Sequence, residues 1–445
     1  MNAVVIAVLL MIVLSLMRVH VVISLIIAAL VGGLLGGLGF EGTIETFSDG
    51  LGDSASIALS YAVLGAFAVA LSKTGLPRLL VDISIKIVGK KGESRSKALP
   101  KALIFLIIFT ISCMSQNAIP IHIAFIPILI PPILQVLNEL AIDRRAIATV
   151  MTFGLKAPYM LLPFGFGAIF HGIVIENTEA NGMSSDIFES STAMTTAMLI
   201  PTLGMFLGLL VAVFFSYRKS RQYENRPLEA GQENGEQATY SVYSLISAVV
   251  AVVATIIIQL LYDSMIFAGV AGLIVLVFSR SVRFKESDAL LTEGMKMMAF
   301  IGFVMIAASG FAEVIRETGH VEQIVAVSTN WMGDSKGLAA IVMILIGLLI
   351  TMGIGSSFAT IPIIAALFVP ICAAMGFSPL ATLSLIGTAG AIGDAGAPAS
   401  DSTLGPSAGL NADGQHNHIW DTCVPTFLHF NIPLVIFGWI AAVIL

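Results

Sequence analysis

Long apolar stretches alternate with short polar loops along almost the whole chain. A bilayer core is crossed by about 20 apolar residues. Stretches that approach this length lie near residues 3–17, 20–39, 55–72, 146–172 and 192–217 in the first half, and near 241–262, 264–280, 296–313, 379–408 and 423–445 in the second half. The pattern predicts an all-α polytopic membrane protein.

Two further apolar stretches, 102–137 and 338–375, are each interrupted by polar residues near the middle. The interruptions are alike, because Ser115-Gln-Asn-Ala-Ile-Pro-Ile and Ser357-Phe-Ala-Thr-Ile-Pro-Ile both fit S-x-x-[AT]-I-P-I. Each stretch could form two crossings or one re-entrant hairpin. Broken apolar segments at matching places in an internal repeat point to the binding site of a transporter.

The distribution of positive charge predicts the orientation. If each broken stretch is a hairpin, each half crosses the membrane an odd number of times and the second half is inverted relative to the first. With both chain termini outside, the predicted cytoplasmic loops hold every Lys and Arg except Lys156, Arg316 and Lys336. This agrees with the positive-inside rule, and the loop faces are the same for either interpretation of the broken stretches.

The chain divides into a first repeat, 1–217, a polar linker, 218–240, and a second repeat, 241–445. The linker is predicted to be a plain cytoplasmic tether. Two shorter amphipathic pieces, 76–90 and 314–331, precede the broken stretches and are predicted to lie at the membrane interface.

Composition supports this class of protein. Hydrophobic residues make up 57% of the chain and charged residues only 11%, against about a quarter charged in soluble proteins. No basic segment precedes the first apolar stretch, so no cleaved signal peptide is expected. Cys113, Cys372 and Cys423 lie in or beside apolar segments and suggest no disulfide framework. The expected partners are the lipid bilayer and a small-molecule substrate, without nucleic acid.

The interruptions supply the first candidate site residues. Small hydroxyl and amide side chains precede a proline in both: Ser115, Gln116 and Asn117 before Pro120, and Ser356, Ser357 and Thr360 before Pro362. Lipid cannot satisfy the backbone groups that a helix break exposes, so such a break must face protein or a wet cavity. There, carbonyls can bind Na⁺ and helix N-termini can hold an anion. The alternative is a Ser/Pro kink that only packs helices.

A second pair of breaks is predicted near Lys156–Pro158 and within Gly393–Thr403. Glycines and a proline make the second stretch unable to form a continuous helix. One unwound helix from each half is expected to meet the other near the membrane midplane.

Lys156, Asp394 and Asp401 are the ionisable candidates, because a charge near the bilayer centre costs about 2.5–3.5 kcal/mol and is rarely idle. Lys156 could bind a substrate carboxylate, act as a built-in cation, or form a structural pair with an aspartate. Asp394 and Asp401 could bind Na⁺, carry a proton or hold a substrate ammonium, although Asp401 could lie near the cytoplasmic end. The candidate Na⁺ ligands are Ser357, Thr360, Gly393, Asp394, Ser400 and Asp401.

Histidines cluster at His416 and His418, near Asp421, on the predicted cytoplasmic face. A metal site is conceivable, but the spacing matches no strong zinc pattern, and a solvated loop is expected. His122 could be a proton-carrying group, although a packing histidine is expected there.

Taken together, the paired interruptions and the run from Gly393 to Pro433 resemble the ion transporter superfamily. Within it, the chain is similar to the Na⁺/H⁺ antiporter branch, close to bacterial amino-acid (histidine-type) permeases. The most specific parts are Gly393-Asp-Ala-Gly-x-Pro-Ala-Ser-Asp-Ser-Thr and Gly405-Pro-Ser-Ala-Gly-Leu-Asn-Ala-Asp-Gly-Gln-His. In one departure, Lys156 occupies the first break, where many relatives bind a first Na⁺.

The resemblance implies two inverted repeats, an elevator mechanism and a dimer. The scaffold would comprise 1–75 and 241–313, and the transport domain 102–217 and 338–445. The expected function is secondary-active transport of a histidine-type amino acid or similar carboxylate metabolite across the inner membrane, coupled to Na⁺ or H⁺ and without a cofactor. The alternative is a Na⁺/H⁺ antiporter without an organic substrate. No selectivity-filter motif or catalytic signature indicates a channel or an enzyme.

Overall fold

The computed structural model describes residues 2–17, 19–75, 98–117, 122–163, 166–183, 185–190, 192–226, 241–262, 264–283, 287–320, 323, 335–355 and 357–445. Over these ranges the chain is helical, and no strand is present in them.

The first half begins with α1 (Ala3–Leu16), α2 (Val21–Leu35), α3 (Gly39–Gly50) and α4 (Ala55–Ser72). The helix α3 was not predicted. Three acidic residues lie in its sequence, so the segment reads as a loop from hydrophobicity alone, although the structure buries Thr43 on one side of it. Residues of α3 pack on α2.

The remaining first-half helices are α5 (Ala98–Asn117), α6 (His122–Glu139), α7 (Arg144–Leu161), α8 (Phe166–Ala180) and α9 (Ala193–Val211). The axis bends by 51° between α7 and α8. The start of α7 is fixed by Asp143, whose side chain accepts a hydrogen bond from the Arg145 N–H.

The second half contains α10 (Val242–Tyr262), α11 (Met265–Phe278), α12 (Ser287–Glu317), α13 (Lys336–Ile354), α14 (Ser357–Ala374), α15 (Pro379–Ala391), α16 (Asp401–Leu410) and α17 (His418–Ile444). Two π-helical turns, His418–Cys423 and Phe427–Asn431, interrupt α17. Pro425 lies between the two turns, where its missing N–H disturbs the regular ladder.

The structure describes only a small part of the two predicted interfacial pieces. The piece 314–331 was placed wrongly at its start, because α12 continues without interruption to Glu317. Its apolar pattern extends into that last turn, where Val314 and Ile315 are buried. Most of the rest of this piece, and all of 76–90, lies outside the described residues.

Several described helices are long and apolar enough to span a membrane. Ala193–Ser216, Val242–Gln259, Lys336–Ile354 and His418–Ile444 qualify individually, and α7 with α8 qualifies as one bent span. Other apolar helices, such as Val21–Leu35, are shorter. Large apolar side chains on their outer faces, including Phe215 and Phe278, are exposed, as expected for a surface that meets lipid.

The two halves interlock around the breaks. First-half helices α6 and α7 pack against α16, and α8 packs against α14. Nearly every residue of α7 and α15 is buried, so these two helices lie in the interior. A smaller apolar core joins α4, α10 and α11 through Phe67, Ala251 and Leu276. The division into scaffold and transport domains stays a prediction.

Candidate substrate and ion site

The break in the first half lies four residues later than predicted. The helix α7 runs through Pro158 to Leu161, and the backbone becomes extended at Leu162, just before Pro163. Pro158 removes one N–H donor, but its own carbonyl still accepts the Leu162 N–H at 2.8 Å. The predicted break at Lys156–Pro158 is therefore wrong, and Lys156 projects from an intact turn of helix.

The break in the second half falls within the predicted stretch. The helix α15 ends at Ala391, and α16 begins at Asp401 after Ser400, whose hydroxyl accepts the Ser402 N–H at 3.2 Å. Gly393 has a φ of +88°, a conformation that favours glycine. The Gly393 N–H donates to Asn431 Oδ1 at 3.2 Å, which ties the irregular segment to α17.

The tip between α13 and α14 is formed by a left-handed glycine. Gly355, with φ +73°, ends α13, and Ser357 begins α14. The Thr360 hydroxyl donates to the Ser357 carbonyl at 2.9 Å, so it is engaged within its own helix. Ser356 lies outside the described residues, as do the side chains of Ser115, Gln116 and Asn117 at the end of α5.

Lys156 and Asp394 meet between the two broken segments and form an ion pair. The lysine is only 1% exposed. Its ammonium also donates to Tyr159 Oη at 2.8 Å and to Ser357 Oγ at 2.9 Å. The Ser357 hydroxyl donates to Asp394 Oδ2 at 2.8 Å. Three separate segments therefore converge on one buried pair of opposite charges.

The irregular segment holds the Asp394 carboxylate from the other side. Ser400 donates its hydroxyl to Asp394 Oδ1, and Ser402 donates to the Asp394 carbonyl at 3.1 Å. Asp401 lies in the first turn of α16, where the helix dipole favours a carboxylate, and it interacts electrostatically with Lys156. It therefore belongs to the electrostatic surroundings of the pair.

An aromatic wall borders the ion pair. The Tyr159 ring lies 5.1 Å from the Phe170 ring and 5.7 Å from the Phe358 ring, measured between centroids. Such a wall lowers the local dielectric and strengthens the electrostatic interactions beside it. The sequence analysis missed Tyr159, although its spacing of three residues from Lys156 places both on one helix face.

Asn431 is a second residue that the sequence analysis missed. Its Oδ1 is engaged by Gly393, while its buried Nδ2 has no hydrogen-bond partner among the described residues. The available signal was an amide within an apolar helix, which is uncommon in a membrane segment without a structural or functional reason.

The oxygens around Asp394 suit a hard cation such as Na⁺. The structure brings together Ser357, Asp394 and Ser400 from the candidate set. At present the Lys156 ammonium supplies the positive charge at this carboxylate, so Na⁺ binding at Asp394 would compete with the lysine. The hydroxyl of Thr360 and the N–H of Gly393 are engaged elsewhere.

A second buried ion pair joins the halves at the start of α7. Arg144 donates through both terminal nitrogens to Asp413, at 2.7 and 2.6 Å, and also to the Leu410 carbonyl at 2.8 Å. Burial raises the pKa of Asp413, but the hydrogen bonds and charge of Arg144 outweigh burial and hold this pKa below its ordinary value. Tyr223 of the linker stacks on the Arg144 guanidinium at 4.3 Å.

The prediction of a solvated loop at the histidine cluster is wrong. His416 is 4% exposed, and its Nε2 lies 2.7 Å from the Thr422 hydroxyl. His418 contacts Ser407 and the Pro398 carbonyl. Among the described residues no group of three His, Cys, Asp or Glu side chains has the arrangement of a metal site. The sequence could not show that the start of α17 folds back onto α16.

Apolar helices of membrane-spanning length and a charged site buried between two broken segments define a polytopic membrane transporter. The chain belongs to the Na⁺/H⁺ antiporter family. One model of a Na⁺/H⁺ antiporter family matches residues 150–439, and another matches residues 2–88.

Relatives of similar length cover essentially the whole chain. It is 55% identical over 451 residues to the Bacillus subtilis (strain 168) protein named "Putative amino acid transporter YuiF", with all of both chains covered. It is 51% identical over 446 residues to membrane protein VP2115 of Vibrio parahaemolyticus, again with all of both chains covered. The Alcanivorax borkumensis YdaH transporter structure covers 91% of this chain and 88% of its own, at 14% identity and a TM-score of 0.43, too low to support a structural argument.

Proposed function

We propose that the protein is a secondary-active transporter of a histidine-type amino acid or a similar carboxylate metabolite, coupled to Na⁺ or H⁺. The observation that carries this proposal is the buried pair of Lys156 and Asp394 between the two broken segments. The name of the Bacillus subtilis relative, an amino acid transporter, supports the same substrate class.

A buried ion pair selects for a ligand that carries both charges. Removing one partner of such a pair leaves an uncompensated buried charge, which costs about 3–5 kcal/mol. A zwitterion avoids this cost, because its carboxylate can bind Lys156 while its ammonium binds Asp394. An anion alone would leave Asp394 uncompensated, and a cation alone would leave Lys156 uncompensated.

Neighbouring groups give the site its geometry. The Ser357 hydroxyl contacts both charged side chains and can follow either one when the pair opens. Tyr159 offers a second hydroxyl near the lysine. Asp394 alternatively takes the coupling cation when the substrate is an anion. We assign further substrate contacts at the tips to Ser115, Gln116, Asn117 and Ser356.

The transport cycle is proposed to be an elevator movement in a homodimer of the bacterial inner membrane, with both termini outside. The packing supports a scaffold, because α4 packs along α12 and α11 packs on α4. It also supports a second group, in which α5 packs on α7 and α9 packs on α17. Sliding the second group past the scaffold would carry the ion-pair site across the membrane.

Uptake by purified protein in proteoliposomes tests the proposed function. Labelled histidine is offered under an inward Na⁺ gradient, an inward H⁺ gradient or neither, with unlabelled amino acids as competitors. Accumulation above the equilibrium level under one gradient supports an amino-acid transporter and identifies its ion. Failure of every amino acid to exchange or accumulate would refute it.

A Na⁺/H⁺ antiporter without organic substrate is the second candidate. The cluster of Ser357, Asp394 and Ser400 oxygens favours it, because one carboxylate could bind Na⁺ and a proton in turn. Na⁺ addition would then shift the lumenal pH of proteoliposomes in the absence of any amino acid. The buried lysine at the same carboxylate is the observation that this candidate leaves without a role.

A further inference from the structure

A chain of hydrogen-bonded side chains links the second break to the loop between α16 and α17. His418 Nε2 lies 2.8 Å from the Pro398 carbonyl, inside the break. His418 Nδ1 lies 2.7 Å from the Ser407 hydroxyl, and Ser407 donates to the Thr422 hydroxyl at 2.9 Å. Thr422 in turn lies 2.7 Å from His416 Nε2.

The chain of hydrogen bonds ends at His416 Nδ1. His416 Nδ1 is buried and has no hydrogen-bond partner among the described residues. The adjacent residues Gly414 and Asn417 are exposed to solvent. Entry of a proton at this nitrogen, from the loop on the predicted cytoplasmic face, is part of the proposal made below.

The number of available hydrogens restricts the protonation of His418. A carbonyl only accepts, so the bond to Pro398 requires a proton on Nε2. The Ser407 hydroxyl has a single hydrogen, which it donates to Thr422, so its bond to His418 requires a proton on Nδ1 as well. With Ser407 donating to Thr422, the two bonds of His418 are satisfied together when His418 is an imidazolium.

A neutral His418 fits the same distances with every link reversed. Nδ1 then accepts from Ser407, Ser407 accepts from Thr422, and Thr422 accepts from His416 Nε2–H, which leaves a lone pair on His416 Nδ1. The two arrangements differ by one added proton and by the direction of three hydrogen bonds.

We propose that His416, Thr422, Ser407 and His418 form a proton-transfer chain, and that His418 is the group that binds the coupling proton. This rests on the proposed function as an ion-coupled transporter. A proton binds His416 Nδ1, and His416 releases its Nε2 proton to Thr422. Thr422 passes its own proton to Ser407, and Ser407 passes its own to His418 Nδ1. Each group forms one bond to hydrogen and breaks one, and the net change is a charged His418.

The surroundings of His416 suit transfer of a proton through its ring. The pKa of His416 is lowered to about 3, mainly by burial. Asp421 opposes this shift, and the charges of Arg144, His418 and Arg221 add to it. His416 is therefore neutral near pH 7 and keeps two distinct ring nitrogens, as a relay requires. Two other polar groups lie near the two histidines. Asp413, three residues before His416, is paired with Arg144. The Cys423 sulfur lies 3.5 Å from His418 Nε2.

The Pro398 carbonyl connects this charge to the substrate site. Pro398 lies in the irregular segment that also carries Asp394 and Ser400. A hydrogen bond from an imidazolium is stronger than one from a neutral ring. Protonation of His418 therefore strengthens this bond between the segment and α17, and loss of the proton weakens it.

Proteoliposomes containing the full chain test the relay through two readouts. The first is accumulation of labelled histidine under an inward H⁺ gradient, and the second is exchange of labelled for unlabelled histidine without any gradient. We expect His418→Gln and Ser407→Ala to reduce accumulation by about tenfold or more, as for loss of a proton-transfer group, while exchange continues. The control His429→Gln alters another histidine of α17, bonded to Pro425 and Ser216, and should accumulate histidine as the wild type does.

Each other outcome overturns a defined part of the account. The relay is refuted if His418→Gln and Ser407→Ala both accumulate histidine as the wild type does. It is also refuted if the wild-type protein accumulates histidine under a Na⁺ gradient alone. Parallel loss of exchange and accumulation in Ser407→Ala and Thr422→Val shows a structural role instead. If the wild type exchanges no amino acid, the proposed function fails, and the relay then requires that His418→Gln abolish a Na⁺-driven change in lumenal pH.

Discussion

Lys156 and Asp394 lie 238 positions apart in the chain, yet their side chains form one buried ion pair between α7 and the segment that follows α15. Ser357 touches both charges from the start of α14. The pair therefore joins the two halves of the protein at the point where both are interrupted. A ligand that separates these charges must replace each of them, and this requirement defines the proposed substrate.

Replacing the carboxylate tests its role directly. We expect Asp394→Asn to abolish ion-dependent transport, because the amide keeps a similar shape but cannot neutralise Lys156 or compensate the charge of a bound ammonium or Na⁺. The measurement is gradient-driven uptake in proteoliposomes, alongside size-exclusion chromatography to establish that the variant is folded. Wild-type ion dependence in a folded Asp394→Asn protein would rule out a role for this carboxylate in coupling.

Replacing the lysine should expose a cation site. In Lys156→Ala the carboxylate of Asp394 and the hydroxyls of Ser357 and Ser400 remain without the built-in ammonium. We expect Na⁺ to raise the melting temperature of this variant more than that of the wild type, and we expect weaker binding of carboxylate substrates. A variant that shows neither change would make Lys156 a purely structural residue.

The pair of Arg144 and Asp413 should contribute strongly to stability. Arg144 is fully buried, so Arg144→Met leaves Asp413 with an uncompensated charge and should cost about 3–5 kcal/mol. The matched control is the exposed pair of Arg226 and Glu224, where Arg226→Met should cost less than about 1 kcal/mol. Thermal unfolding in detergent measures both, and equal losses would contradict the account.

Acid should destabilise the protein through His416. Its folded-state pKa is lowered to about 3 by burial, whereas the pKa of an unfolded histidine is about 6.5. The unfolded chain therefore binds a proton in this interval and the folded protein does not. The stability contribution is complete above about pH 6.5 and decreases as the pH falls from there toward 3.

Melting temperatures across this pH interval provide the measurement. His416→Gln should flatten the decline below pH 6.5. An unchanged slope in His416→Gln would mean that the histidine titrates alike in the folded and unfolded states.

The sequence predicted the ionisable core of the site better than its boundaries. Lys156 and Asp394 could be recognised because charges inside apolar segments are costly and therefore rarely accidental. A pair of Lys156 with an aspartate was one of the alternatives. The sequence could not show which aspartate, because hydrophobic periodicity contains no distance between segments far apart in the chain. Tyr159 and Asn431 were not predicted as site residues, because a tyrosine or a single amide in an apolar helix also fits ordinary packing.

Local rules also failed where tertiary packing decided the outcome. Pro158 indicated a break, but α7 continues through it to Leu161, although proline lacks the N–H that would complete one helical hydrogen bond. His416 and His418 were predicted to be solvated because their neighbours are polar, yet α17 folds over α16 and buries His416. The acidic segment Gly39–Gly50 forms a helix because its buried face packs against α2 and α12.

The most direct test of the central claim compares three imidazole compounds that differ in which charged groups they carry. Histidine carries an ammonium and a carboxylate, histamine lacks the carboxylate, and imidazole propionate lacks the ammonium. Each is offered in excess as a competitor of labelled histidine exchange by the wild-type protein. The account predicts that unlabelled histidine competes and that both single-charge analogues compete at least about tenfold more weakly, which corresponds to about 1.4 kcal/mol or more. Equal competition by histamine or by imidazole propionate would show that Lys156 and Asp394 do not recognise the two charges of a zwitterion.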